Sequence, residues 1–189
     1  MRNVNPMNGS CKFADLVAFE VIKHFGLPKN VIELGCGCGK NLAKFSDVEV
    51  AIGIDPCLEN VRRARKNCKG ANIVLGSHSL LMNFNTNEFD VGYTCSVLDH
   101  MEDFRPAISE LCRVCRKVML FEPIIKGASR QAFPGETDCW KISWYHDIES
   151  WLKKQETIKF ECFPKPMYKI NSGQMFYQFI IDSEKYSIS

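Results

Sequence analysis

Three glycines at alternate positions, Gly35, Gly37 and Gly39, constrain this chain more than any other feature. They follow Val31-Ile32-Glu33-Leu34, which reads as a short buried strand. They precede Asn41-Leu42-Ala43-Lys44-Phe45, which reads as the start of a helix. A strand, a glycine turn and a helix N-terminus together make a ligand-binding device. Glycine admits φ > 0 and lets a ligand come close to the main chain. The first turn of a helix offers unpaired N–H groups and partial positive charge to an anionic group. A turn that binds nothing needs fewer glycines than three in five residues.

The spacing excludes two well-known devices. A dinucleotide fingerprint requires G-x-G-x-x-G/A. Counted from Gly35 its last position is Lys40, and counted from Gly37 it is Leu42. A phosphate loop requires G-x-x-x-x-G-K-[ST]. Gly39-Lys40 matches its end, but Leu34 stands at the first position and Asn41 at the last. What remains is E-x-G-x-G-x-G.

Around this loop the chain alternates strands and helices. Ala14, Val17, Ala18, Val21, Ile22 and Phe25 follow helical spacing over Phe13–Phe25, and Gly26-Leu27-Pro28 ends that helix. Val48–Asp55 reads as a strand ending in a carboxylate, Leu58–Asn67 as a helix and Asn72–Leu75 as a third strand. Arg62, Arg63, Arg65 and Lys66 form a basic run that reads as a solvated helix face. Ser79–Glu88 is too short for a full crossover helix with its loops, so that layer is expected to be reduced. Phe89–Cys95 is the fourth strand, Phe104–Lys117 a helix, and Lys117–Pro123 a continuous apolar strand fit for the centre of a parallel sheet. The stretch 124–142 has no clean period and reads either as a functional lid or as a disordered segment. Trp144–Lys154 reads as a short helix, then Ile158–Cys162 and Met175–Ile181 as the last two strands. Only Phe163–Gln174 separates that last pair, too short for a comfortable helical crossover, so the two are expected to be antiparallel.

The glycine pattern, with its acid and the strand ending in Asp55, resembles motif I of the class I S-adenosylmethionine-dependent methyltransferases. Cys95-Ser96-Val97-Leu98-Asp99-His100 is similar to the family's motif IV region, and the terminal antiparallel pair matches its topology. The resemblance covers about 29–123 by motif and 156–181 by topology, and matches 1–28 and 124–155 only loosely. It implies an α/β fold: a Rossmann-like, doubly wound, mostly parallel seven-stranded sheet with a C-terminal antiparallel hairpin. It also implies a single domain over 1–189, with an N-terminal flap and helix (1–28), a cofactor half (29–123), and a lid and hairpin on the acceptor side (124–189).

The implied cofactor is S-adenosylmethionine, with S-adenosylhomocysteine as product. The resemblance places it against Glu33, Gly35, Cys36, Gly37, Gly39, Asp55, Pro56, Ser77, His78, Cys95 and Ser96. A carboxylate at the end of the second strand can accept hydrogen bonds from both ribose hydroxyls, and NAD enzymes use the same device. Asp55 also fits a cap for the next helix. Family members commonly carry an acid where Ser77 and His78 stand, so the adenine contact departs from their pattern. Lys12 and Phe13 lie where a helix before motif I flanks the pocket.

A sulfonium methyl is already electrophilic, so the protein must chiefly hold a nucleophile in line and deprotonate it if it is weak. His100 is the candidate base and Asp99 its orienting partner, or a base itself. Glu122 is a further candidate, and Trp144, Tyr145 and His146 are candidates to line an acceptor pocket. No N-P-P-[YF] tetrapeptide follows the fourth strand, the net charge is only +2, and 189 residues leave no room for an added domain. These features favour a small-molecule acceptor over nucleic acid. An NAD(P)-dependent oxidoreductase and a non-catalytic cofactor- or partner-binding protein are the alternative readings.

No apolar run reaches membrane-spanning length and Met1–Ser10 lacks a signal-peptide core, which points to a cytoplasmic protein. The ten cysteines are scattered over apparent core elements and are expected to be free thiols. Cys112 and Cys115 share an apolar helical face, so core packing is expected there and no metal site. The sequence does not determine the oligomeric state.

Overall fold

A computed structural model describes residues 10–123, 130–132, 142–144, 146–155, 158–164 and 176–183. The first helix, α1 (Ser10–Phe25), buries Ala14, Val17, Ala18 and Val21 of the stripe that its periodicity predicts, whereas Ile22 is exposed and Phe25 only half-buried. The glycine loop follows β1 (Asn30–Leu34) and leads into a 3-10 turn, Leu42–Phe45. Then come β2 (Val50–Asp55), α2 (Leu58–Asn67) and β3 (Asn72–Leu75). A second 3-10 turn, His78–Asn83, stands where a reduced crossover layer is expected. Beyond it are β4 (Phe89–Cys95), a 3-10 turn at Leu98–His100, α3 (Arg105–Val114) and β5 (Cys115–Pro123). The chain continues through β6 (Arg130–Ala132), β7 (Ile142–Trp144), α4 (Ile148–Lys153), β8 (Lys159–Pro164) and β9 (Phe176–Asp182).

Seven strands form one sheet in the order β3-β2-β1-β4-β5-β9-β8. The first five are parallel, and β9 runs antiparallel to both β5 and β8. The terminal hairpin anticipated from its short connection is therefore present. Each face of the sheet carries its own core. Val17, Val21, Leu42, Phe45, Val61 and Phe121 fill one face. Ile32, Leu34, Ile108, Leu111, Leu120, Leu152 and Phe179 fill the other. The chain steps outward from β1 to β3 and then returns to place β4 beside β1. That reversal is a topological switch point, and the crevice outside the carboxyl ends of β1 and β4 is where such sheets take ligands.

Three local expectations are corrected. The helix expected from Asn41 is only a four-residue 3-10 turn, because ten residues between Gly39 and Val50 must also carry the chain back to the sheet. The α-helix dipole argument for that position therefore falls, and the glycine loop itself must do the binding. The helix expected from Trp144 starts at Ile148, and Trp144 instead ends β7, which pairs with β6; β6 lies within the stretch read as irregular and β7 begins at its last residue. The helix expected to reach Lys117 stops at Val114, and Cys115 opens β5. Residues 1–9, Tyr145 and most of the expected lid lie outside the described residues, as do the side chains of Lys12 and Phe13.

Candidate active site

The glycine loop is held from beneath. Gly35 and Cys36 both donate their N–H to the Ile54 carbonyl, at 2.7 and 3.0 Å. Gly39 donates to the Cys36 carbonyl at 2.8 Å, closing a tight turn. All three glycines sit at positive φ: 72° at Gly35, 53° at Gly37 and 79° at Gly39. Their surroundings differ. A Cβ on Gly35 would lie 2.6 Å from Val97 Cγ1, and one on Gly39 would lie 3.2 Å from the Ala64 backbone. At Gly37 a Cβ would meet nothing within 4 Å. Gly35 and Gly39 are thus packing positions, and Gly37 faces open space.

Asp55 ties this loop to the next one. Its Oδ2 accepts the Gly37 N–H at 2.8 Å, and its Oδ1 accepts the Cys57 N–H and the Asn60 side chain at 2.9 and 3.2 Å. The carboxylate therefore braces both the glycine loop and the start of α2, so the helix-capping role and a ligand role share one group. Oδ2, with a single donor, keeps a lone pair for a further hydroxyl. The side chain is fully buried, like that of Glu33.

Glu33 turns inward rather than toward the crevice. Its oxygens accept from Asn41 Nδ2 at 3.0 Å and from the Tyr93 hydroxyl at 3.1 Å. Burial pushes its pKa up to about 8, and the nearby Asp55 charge adds to the shift. The same burial, with the Glu33 charge, pushes the Tyr93 phenol well above its ordinary range. Glu33 therefore supports the loop by cross-linking β1, β4 and the residue after the glycines. Asn41 and Tyr93 carry no motif of their own; the glycine turn brings Asn41 back to Glu33 from eight residues away, and β1–β4 pairing brings Tyr93 from sixty.

The loop after β4 forms the second wall. Cys95 ends the strand and Ser96 takes φ 54°, a left-handed turn that bends the chain over the β5 edge. Ser96 donates its N–H to the Phe121 carbonyl at 2.9 Å. Burial and the Glu33 and Glu122 charges hold the Cys95 thiol well above its ordinary pKa. Asp99 and His100 follow in the 3-10 turn, with His100 Nε2 3.8 Å from Asp99 Oδ2 and both side chains partly exposed. His146 anchors the far end of this loop: its Nε2 lies 2.7 Å from the Met101 carbonyl and its ring 4.7 Å from the Phe104 ring. Beyond β3, Ser77 is exposed and turned onto Ser79, and His78 is half-buried.

The predicted residues thus gather at the carboxyl ends of β1, β2, β3 and β4, with Glu33 behind the loop rather than on its face. One expectation about the thiols is corrected. Cys36, Cys38, Cys68, Cys95, Cys112, Cys115 and Cys162 are free, whereas Cys57 is disulfide-bonded. Cys57 lies two residues beyond Asp55, at the start of α2, and is itself buried, so a place in the core does not mark a cysteine as a free thiol. Cys112 and Cys115 are both buried, and burial raises the Cys112 thiol to about 12.

Residues 32–119 match the family model described as a methyltransferase domain. Solved structures share the fold at low identity. A 1,6-didemethyltoxoflavin-N1-methyltransferase from Burkholderia thailandensis, solved with 1,6-didemethyltoxoflavin and S-adenosylhomocysteine, superposes with a TM-score of 0.68 at 13% identity, over 89% of this chain and 76% of that one. An S-adenosylmethionine-dependent methyltransferase from Methanosarcina mazei gives 0.66 at 18% identity, over 85% and 95% of the two chains. The N-terminal domain of EvdMO1, solved with S-adenosylhomocysteine, gives 0.63 at 13% identity, over 89% and 79%.

Proposed function

We propose that this chain is a class I S-adenosylmethionine-dependent methyltransferase and that it methylates a small-molecule acceptor. The observation that carries the proposal is the open, positive-φ Gly37 set directly against Asp55 at the switch point of the sheet. The residues fit the cofactor. Gly37 leaves room for close approach, Asp55 Oδ2 offers an acceptor for a ribose hydroxyl, and Cys95 and Ser96 form a floor. Ser77 and His78 stand ready for the adenine edge in place of the family's usual acid.

When bound, S-adenosylmethionine supplies a methyl group already activated on sulfonium. The protein's part is to bind, orient and move a proton. The glycine loop and Asp55 fix one end of the crevice, and the Ser96–His100 turn presents the acceptor side. His100, with Asp99 alongside, takes the acceptor's proton at an imidazole nitrogen as the nucleophile attacks in line. The small-molecule reading is supported by the near-neutral charge and by the small substrate of the Burkholderia enzyme of like fold. A cytoplasmic setting is part of the proposal, and the disulfide at Cys57 counts against it; among the described residues no helix is long and apolar enough to cross a membrane.

Methyl-labelled S-adenosylmethionine incubated with the protein and fractionated cell extract tests this reading. Label is expected in the acid-soluble small-molecule fraction. Label confined to protein or nucleic acid would overturn the acceptor class, and no enzyme-dependent label in any fraction would count against methyl transfer itself.

A further inference from the structure

We propose that Glu122 is a positioning residue that locks the acceptor-side loop onto the cofactor's glycine loop, acting through Val97. The proposal deepens the methyltransferase reading and rests on it. Glu122 lies near the end of β5 and is 1% exposed, a carboxyl enclosed in the core. It makes three hydrogen bonds, all to the segment that leaves β4. The Thr94 hydroxyl lies 2.6 Å from Oε1, and the Val97 and Leu98 N–H groups each donate to Oε2 at 3.0 Å. Two consecutive amides on one oxygen fix the peptide planes at the start of the 3-10 turn that carries Asp99 and His100.

Val97 carries that restraint across the site. Its Cγ atoms fill the space where Gly35 lacks a side chain, so the post-β4 loop and the glycine loop interlock at one contact. Release of the Val97 amide would let this knob withdraw, and both walls of the crevice would loosen together. The carboxyl is well suited to a fixed role. Burial, with the neighbouring Asp99 charge, raises its pKa to about 8. Its Oε1 accepts the Thr94 hydroxyl and its Oε2 accepts both amides. A glutamine keeps an oxygen to accept both N–H groups, and its amide nitrogen donates to a Thr94 hydroxyl turned to accept.

The test measures S-adenosylhomocysteine affinity by calorimetry at pH 7 for the wild type, Glu122→Gln, Glu122→Ala and Val97→Ala. It adds melting temperatures and amide hydrogen exchange at Val97 and Leu98. Glu122→Gln should bind within about threefold of wild type, because both amides keep their acceptor. Glu122→Ala should weaken binding by about tenfold or more and speed exchange at both amides, since two buried donors lose their acceptor. Val97→Ala keeps the Glu122 bonds and should still weaken binding, by about fivefold, through lost contact with Gly35. Should Glu122→Ala fail to fold, Val97→Ala and Glu122→Gln decide the matter. Lowered melting temperatures with wild-type affinity in Val97→Ala and in any folded Glu122→Ala would make Glu122 a structural brace only and refute the proposal. A wild type that does not bind S-adenosylhomocysteine would refute the premise and the proposal with it.

Discussion

Replacing single glycines of the binding loop separates ligand contact from fold stability. Gly37 sits at φ 53° with nothing within 4 Å of where a Cβ would stand. Gly37→Ala therefore creates no internal clash, and its cost to folding is the left-handed backbone alone, about 1–2 kcal/mol. For a chain of this size that corresponds to a fall in melting temperature of about 2–8 °C. The new methyl projects into open space on the side from which a cofactor would approach. Wedging a methyl into a packed contact costs about 1–3 kcal/mol, which is roughly a 5- to 150-fold loss of affinity. Gly35→Ala behaves differently, because its Cβ would stand 2.6 Å from Val97 Cγ1 and must also displace that side chain. Its folding cost is the same backbone strain plus about 1–3 kcal/mol of overpacking. Thermal melts and calorimetric titration with S-adenosylhomocysteine read the two effects independently. Gly37→Ala should be the more stable variant and should still bind weakly. Wild-type affinity in Gly37→Ala would show that no cofactor packs on this loop.

Asp55→Ala should lower both cofactor affinity, by about one to two orders of magnitude, and melting temperature, because Gly37, Cys57 and Asn60 all lose their acceptor. Asp55→Asn keeps one acceptor oxygen and should lose less of each; a lowered melting temperature with unchanged affinity would leave Asp55 as a brace alone. The raised pKa of Glu33 favours folding fully below the usual carboxylate range, and that contribution is lost as pH rises from about 4.5 through about 8. The loss is about 1.4 kcal/mol per pH unit for the group, so Glu33→Gln should flatten chemical-denaturation stability measured between pH 5 and 8, leaving the similar slope from Glu122. An unchanged slope would contradict the burial assigned to Glu33. His100→Asn should cut turnover on an acceptor once one is in hand while S-adenosylhomocysteine affinity stays within about threefold, and full turnover would remove His100 as the base.

Much of this architecture is legible in local pattern. Phe89–Cys95 and Asn72–Leu75 coincide with their strands because short apolar runs bounded by turn residues have few alternatives. The stripe of Val17 and Val21 buries as its spacing requires. The 3-10 turn at Leu42–Phe45 escapes such reading, since its apolar residues fit an α-helix and only the short path to β2 forbids one. The β6–β7 pair has three residues a side, too few to display alternation. Within the site, Gly37 and Asp55 follow from motif and spacing. The links that make them rigid do not, because Tyr93 reaches Glu33 across 60 positions and Val97 reaches Glu122 across 25. Such pairs exist only once β1, β4 and β5 lie side by side.

Titration of the purified chain with S-adenosylhomocysteine and, separately, with NAD+ by calorimetry tests the central claim most directly. Saturable binding of S-adenosylhomocysteine at one site per chain, abolished or weakened in Asp55→Ala, with NAD+ much weaker, is the predicted result. NAD+ binding more tightly than the sulfur nucleotide would contradict it.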